Sequence, residues 1–243
     1  MNLASIWTRL LAGGALTVAI AGAAVAGPVV VRSTGPSAKA YPVGRQLADS
    51  AQLALKAGDT VVLLDSRGTR TVSGPGNFPA LAAGTRASAA QTASRILANQ
   101  GTSERRGGAV RGGTPSTSAR SPNLWLVDLS KAGTVCVADP NAVRVWRGTA
   151  TDAATVKVSA EVGTDTIAMA PGAAIGDWPK SLPVKDGAEY TVSMNGSAPA
   201  KIKFVTVPVP ASLEDTASSL IAKGCKTQLD LLIATTGGSG NAG

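Results

Sequence analysis

Between Leu124 and Cys225 apolar and polar residues alternate in short runs separated by turn residues, the pattern of strands with one dry and one wet face. Thr155 to Val162 is the clearest run: Val156, Val158, Ala160 and Val162 fall on one side and polar residues on the other. Ala188–Met194 and Ala200–Val205 flank Asn195-Gly196, a pair that readily adopts the left-handed backbone of a tight hairpin turn. In that hairpin Ile202 and Phe204 are expected in the core, with Lys201 and Lys203 in water. Runs at 124–129, 134–137, 143–147 and 166–169 complete a set of about seven strands, which predicts a β-sandwich-like domain over 123–208.

Shorter β runs occupy 29–34, 41–47, 51–55, 60–65 and 69–72, punctuated by Gly58-Asp59, Arg67-Gly68 and Gly74-Pro75-Gly76. They predict a small β module over 27–82, too small to stand well alone. Residues 83–122 read as an Ala-rich helix (87–99) followed by a Gly/Ser/Thr/Arg linker. Pro208 and Pro210 end the β pattern, and Ser212 caps a helix whose buried stripe is Leu213, Ala217, Leu220 and Ile221. Gly224 ends that helix; Thr227 to Ala234 is a second one, and 235–243 is a polar tail. The chain is therefore expected to be mainly β, with two C-terminal helices packed on the second domain.

The succession Val43-Gly44, Leu47, Leu53, Gly58-Asp59, a β run, then Gly68-Thr69 and a closing strand resembles the FecR-like domain of bacterial envelope proteins. The likeness covers about residues 29–76 and rests on turn glycines spaced by apolar strands. It implies a periplasmic β module without enzymatic activity. No cytoplasmic anti-sigma region precedes the apolar segment, so the sigma-regulating role of the founding members is not implied.

The first residues give an address. Arg9 forms a basic n-region, Leu10–Val25 an apolar h-region, and Ala24-Val25-Ala26 a small-x-small cleavage site before Gly27-Pro28, so residues 1–26 are expected to be a cleaved signal peptide. An uncleaved anchor running to Val31 is the competing reading. Either way the folded part is placed in the periplasm or outside the cell. The only two cysteines, Cys136 and Cys225, are then expected to form a disulfide.

Lys and Arg outnumber Asp and Glu by 23 to 15, and loss of residues 1–26 removes only Arg9, leaving +7. A basic exported chain meets anionic surfaces: an acidic protein face, lipid head groups or a charged cell-surface polysaccharide. Nucleic acid is not expected, because neither a basic recognition helix nor aromatics interleaved with a basic stripe is present. Four arginines of the linker, Arg105, Arg106, Arg111 and Arg120, are too dispersed to make a dense cluster.

The chain has no histidine, which removes Ser-His-Asp and Cys-His catalysis and most zinc hydrolase sites. No cofactor or metal is expected. A hydrolase of envelope polysaccharide that uses two carboxylates is the enzymatic alternative, with Asp128, Asp139, Asp177 and Asp186 on offer, although each sits where turn chemistry places an aspartate. Trp125, Trp146, Trp178 and Tyr190 hold most of the large aromatic surface of the second domain. They either fill its core or line a sugar-binding face beside Arg144 and Arg147, since flat rings stack on sugars and arginine reaches acidic groups. Trp178, in Gly-Asp-Trp-Pro, is the ring most expected at the surface. Together these features predict a non-enzymatic envelope module that binds a protein partner or an anionic polymer.

Overall fold

The computed structural model describes residues 27–81, 121 and 123–237. The expected signal segment, the Ala-rich helix and nearly all of the linker lie outside the described residues. The chain is mainly β, as its alternation predicts. Its first half holds β1 (Val29–Thr34), β2 (Gln52–Leu55), β3 (Thr60–Asp65), β4 (Gly68–Ser73) and β5 (Gly76–Pro79). The second holds β6 (Leu126–Asp128), β7 (Gly133–Val137), β8 (Arg144–Trp146), β9 (Ala154–Ala160), β10 (Gly163–Met169), β11 (Ile175–Asp177), β12 (Glu189–Met194) and β13 (Ala200–Thr206), followed by helices α1 (Leu213–Ala222) and α2 (Lys226–Thr236).

Sheet β1-β3-β4 is antiparallel and buried on both faces. Val30, Val61, Leu63 and Val72 pack on the β2-β5 pair through Leu53, Leu55 and Phe78. Val29, Val31, Val62 and Leu64 pack on the two helices. A strand covered on both sides needs apolar residues at every position, which is why Val29-Val30-Val31 and Val61 to Leu64 run without alternation. The loop before β2 is tied down by Asp59, whose carboxylate accepts from the backbone N–H of Ser37 (2.7 Å) and of Lys56 (2.6 Å). Burial works against that charge, but these donors outweigh it and hold the carboxyl below its ordinary pKa. Gly35 lies against Asp59 at φ +101°, where an added Cβ would sit 2.7 Å from the Asp59 Cα, so the close approach requires glycine.

In the second half, β10-β9-β12-β13-β7 and β11-β8-β6 enclose a second core of valines, Ile167, Met169, Ile202 and Phe204. The hairpin of β12 and β13 turns at Asn195 (φ 49°) and Gly196 (φ 73°), the left-handed pair that the Asn-Gly signal predicts. Val156 and Val158 face the core as expected, whereas Val162 falls in the β9–β10 turn and is 70% exposed. The alternation therefore stops one residue pair earlier than the sequence pattern indicates.

Ser212 caps α1, its hydroxyl accepting from the Asp215 N–H at 3.0 Å. Both helices pack on the sheets, and they do so between the two halves: α1 lies on β1 and β3, and α2 touches β4 and β7. A third core results, in which Leu213, Leu220 and Leu232 meet valines of β1 and β3 as well as Trp125 and Val207. The disulfide Cys136–Cys225 is buried there, joining β7 to the N-terminal end of α2. Helix α2 extends two residues past the expected Ala234, and Gly237 bridges to Thr69 of β4.

Glu214 in the first turn of α1 is buried against the β3–β4 turn, where the Ser66 N–H and the Ser212 hydroxyl donate to it. Desolvation raises its pKa above the ordinary value, and the neighbouring Asp65 charge adds to the rise. A raised native pKa means that the folded chain holds this proton longer than the unfolded one. The stabilisation is complete below the ordinary glutamate pKa and is lost as pH rises through the native value. Glu214→Gln is thus expected to raise the melting temperature at neutral pH and to flatten its fall from acid to neutral, as read by circular dichroism.

Candidate functional site

Except for Arg144, the residues expected to line a sugar site are inside the protein. Trp178 is buried, packed edge-on against Tyr190 and Phe204 with ring centroids 5.2 and 5.0 Å away. Its Nε1–H donates to the Leu182 carbonyl at 2.7 Å, while the Tyr190 hydroxyl donates to the Pro183 carbonyl at 2.6 Å. The Gly-Asp-Trp-Pro segment therefore turns its ring inward, correcting the expectation of exposure: three rings fill space that a core of small residues leaves open. Trp125 and Trp146 are buried as well.

Arg147 is also buried, at 4% exposure. Its guanidinium donates to three carbonyls, those of Ala173 (2.8 Å), Asp152 (2.7 Å) and Ala170 (2.8 Å). It pins two loops together, with each of its three nitrogens donating to a backbone carbonyl. Arg144, half-buried on β8, is separated from this clamp by the intervening strand residues. Trp146, Arg144, Arg147 and Trp178 thus do not form one solvent-facing surface.

Three of the four carboxylates offered for hydrolysis accept hydrogen bonds in turns or loops. Asp128 accepts from the N–H and hydroxyl of Ser130, Asp139 from the Asn141 N–H, and Asp186 from the Thr206 N–H. Asp177 is exposed on β11. Among the described residues no group of three or more Cys, Asp or Glu is placed to hold a metal ion, and no helix is long and apolar enough to cross a membrane.

A different surface gathers charge. On the outer face of the five-stranded sheet the register sets Thr166, Lys157 and Ser193 in one row, and Thr164, Ser159, Thr191 and Lys201 in the next. Glu189, Lys203 and Thr134 form a third row. Lys157, Lys201 and Lys203 are exposed, while their strand neighbours Val156, Val158, Ile202 and Phe204 fill the core behind them. The only acid in these rows is Glu189, and none of the three lysines is in an ion pair among the described residues. Strand spacing puts Lys201 and Lys203 about 7 Å apart and Lys157 about 10 Å across the sheet from their strand. The end of this face toward Cys136 is covered by the helices, so the lysine rows lie beside a rigid, disulfide-fastened border.

The signal for this surface was present in the polar positions of 155–159, 191–193 and 201–203, but it becomes a surface only when the strand register is known. The geometry offers a flat field of hydroxyl donors with three fixed positive charges. Comparison with known protein families, with curated proteins and with solved structures finds no match to this chain.

Proposed function

We propose that this protein is an exported, non-enzymatic binding module of the cell envelope that takes an anionic surface polymer on the outer face of its five-stranded sheet. The observation that carries the reading is the row arrangement of Lys157, Lys201 and Lys203 among serine and threonine hydroxyls, with one acid among them. Lysine ammonium groups pair with carboxylates or phosphates as mobile point charges, and hydroxyls donate to the remaining oxygens. A repeating polymer meets such a flat array at several points at once, so weak contacts add.

The address draws on the N-terminal signal pattern, the resemblance of residues 29–76 to the FecR-like domain, and a buried disulfide, a bond that persists in oxidising compartments. The excess of basic residues fits the same partner. The enzymatic alternative draws little support from the carboxylates, since Asp128, Asp139 and Asp186 each accept a hydrogen bond within a turn or loop.

The test is binding to polygalacturonate, a carboxylated polysaccharide, with neutral dextran as control. The triple substitution Lys157→Gln, Lys201→Gln, Lys203→Gln is expected to weaken binding about tenfold, since exposed charge pairs contribute about 0.5 kcal/mol each. Neutralising Lys39 and Lys56 of the first half should have little effect. Rising salt should weaken the parent far more than the triple variant. Equal affinity of the parent and the triple variant, or equal binding to dextran, would refute the reading.

A further inference from the structure

The helix pair is held differently on its two sides. Toward the second half it is fastened by the Cys136–Cys225 bond and by the Gln228 side chain, which hydrogen-bonds to the Cys136 backbone and to the Leu124 carbonyl. Toward the first half the contact is mostly apolar: Val29, Val31, Val62 and Leu64 share a core with Leu213, Leu220 and Leu232. The polar ties on that side include Arg32 with Asp230 at 2.7 Å, both more than half exposed, and the buried hydroxyls of Thr69 and Thr236, which share a hydrogen bond. An exposed pair contributes little, and the hydroxyls keep no charge to gain or lose.

Glu214 is a tie of another kind, because it titrates while buried. It is 4% exposed, and the Ser66 N–H of the β3–β4 turn donates to its carboxyl. The charged groups on the elements packed against α1 are Arg32 of β1, Asp65 of β3, and Lys226 and Asp230 of α2, with Arg67 in the β3–β4 turn and Asp215 beside Glu214 on the helix. Lys226 is exposed, Arg32 and Asp230 pair with each other, and the Asp215 N–H donates to the Ser212 cap. Arg67 pairs with Asp65 at 3.2 Å, and its backbone N–H donates to the same carboxylate at 2.8 Å. Asp65 is the neighbour whose charge acts on Glu214, and the two charges have the same sign.

The closed joint therefore keeps a carboxyl out of water close to a second acid. Desolvation is the first cost of ionising Glu214 there, and the Asp65 charge adds to it. Opening returns Glu214 to water and removes both costs. By linkage the closed form is favoured in full below the ordinary glutamate pKa, and it loses ground as pH rises through the native value.

We infer that the contact between the first half and the helix pair is a pH-responsive joint: with Glu214 protonated the first half is held on α1, and with Glu214 ionised it opens away more often while both helices stay on the second half. Such an opening is a partial one, confined to the side of the helices that carries no covalent or multiple hydrogen-bonded fastening. Strands β9, β12 and β13, which carry the lysine rows, keep their pairing in the open form, so the joint is tested independently of the polymer site.

The experiment uses the full chain with a single added thiol, Val62→Cys, on the face of β3 that meets the helices, and an uncharged thiol reagent. A second chain carrying Val158→Cys in the other core reports global unfolding. Labelling rates from mildly acid to neutral pH are divided by those of the denatured chain, which removes the thiol's own ionisation. The thiol at position 62 is expected to react faster than the one at 158, with a corrected rate that rises several-fold toward neutral pH. Glu214→Gln in the same background is expected to abolish that rise, and Asp65→Asn to reduce it. The inference is overturned if position 62 reacts no faster than position 158, if the rise persists in Glu214→Gln, or if Arg32→Gln removes it instead.

Discussion

Replacing Cys136 and Cys225 together by alanine is expected to lower the stability of the folded chain by about 4 kcal/mol and its melting temperature by about 10 °C. The two residues are 89 apart in sequence, so their bond shortens a long loop in the unfolded chain and removes much of its conformational freedom. The location enlarges the consequence. Cys136 and Cys225 are fully buried in the core that α1 and α2 share with β1 and β3, and the bond holds that core to β7. Guanidinium unfolding of the parent and the double variant measures the difference directly. A loss below about 1 kcal/mol would mean that packing alone fastens the helices to the second half.

A comparable loss is expected at Gln228, which carries no charge and sits in a helix. Its side chain is buried and makes three hydrogen bonds, from the Cys136 N–H and to the carbonyls of Cys136 and Leu124. Gln228→Leu keeps the volume nearly unchanged but leaves one backbone donor and two acceptors buried without partners. Each such group costs about 1–3 kcal/mol, and partial relaxation brings the expected total to about 3–5 kcal/mol. Because the hydrogen bonds and the disulfide engage the same residue of β7, their effects should not add. A double-mutant cycle between Gln228→Leu and the cysteine pair should show a coupling of about 1 kcal/mol or more. Strict additivity would show that α2 is held by two independent joints.

Much of the fold can be read from local pattern. The alternation of Thr155 to Val158, the Asn195-Gly196 turn and the Ser212 cap are decided within a few residues of where they act, and each stands in the structure as the local chemistry predicts. The pairing of Cys136 with Cys225 followed from having just two cysteines in a chain whose first residues follow the pattern expected of an export signal. What was not legible depends on distant partners. Trp178 looked exposed because its neighbours are glycine, aspartate and proline, yet Tyr190 and Phe204 supply the pocket that receives it from strands far along the chain. Arg147 looked like a surface arginine, and the carbonyls that satisfy its buried guanidinium come from loops 5 to 26 residues away. The helices were expected on the second half alone; their apolar residues also meet Val29, Val31, Val62 and Leu64, a contact that spans nearly the whole chain. Lys157 and the Lys201–Lys203 pair share a face because β12 lies between their strands, an arrangement set by sheet order and invisible to periodicity.

The proposed polymer-binding face is tested most directly by lysine acetylation footprinting, with mass spectrometry, of the protein bound to an envelope fraction of its source cells and of the free protein. Lys157, Lys201 and Lys203 are expected to be protected together in the bound state and released together by salt, while Lys39 and Lys56 react equally in both. Protection that spares these three lysines and falls elsewhere would contradict the assignment of the sheet face.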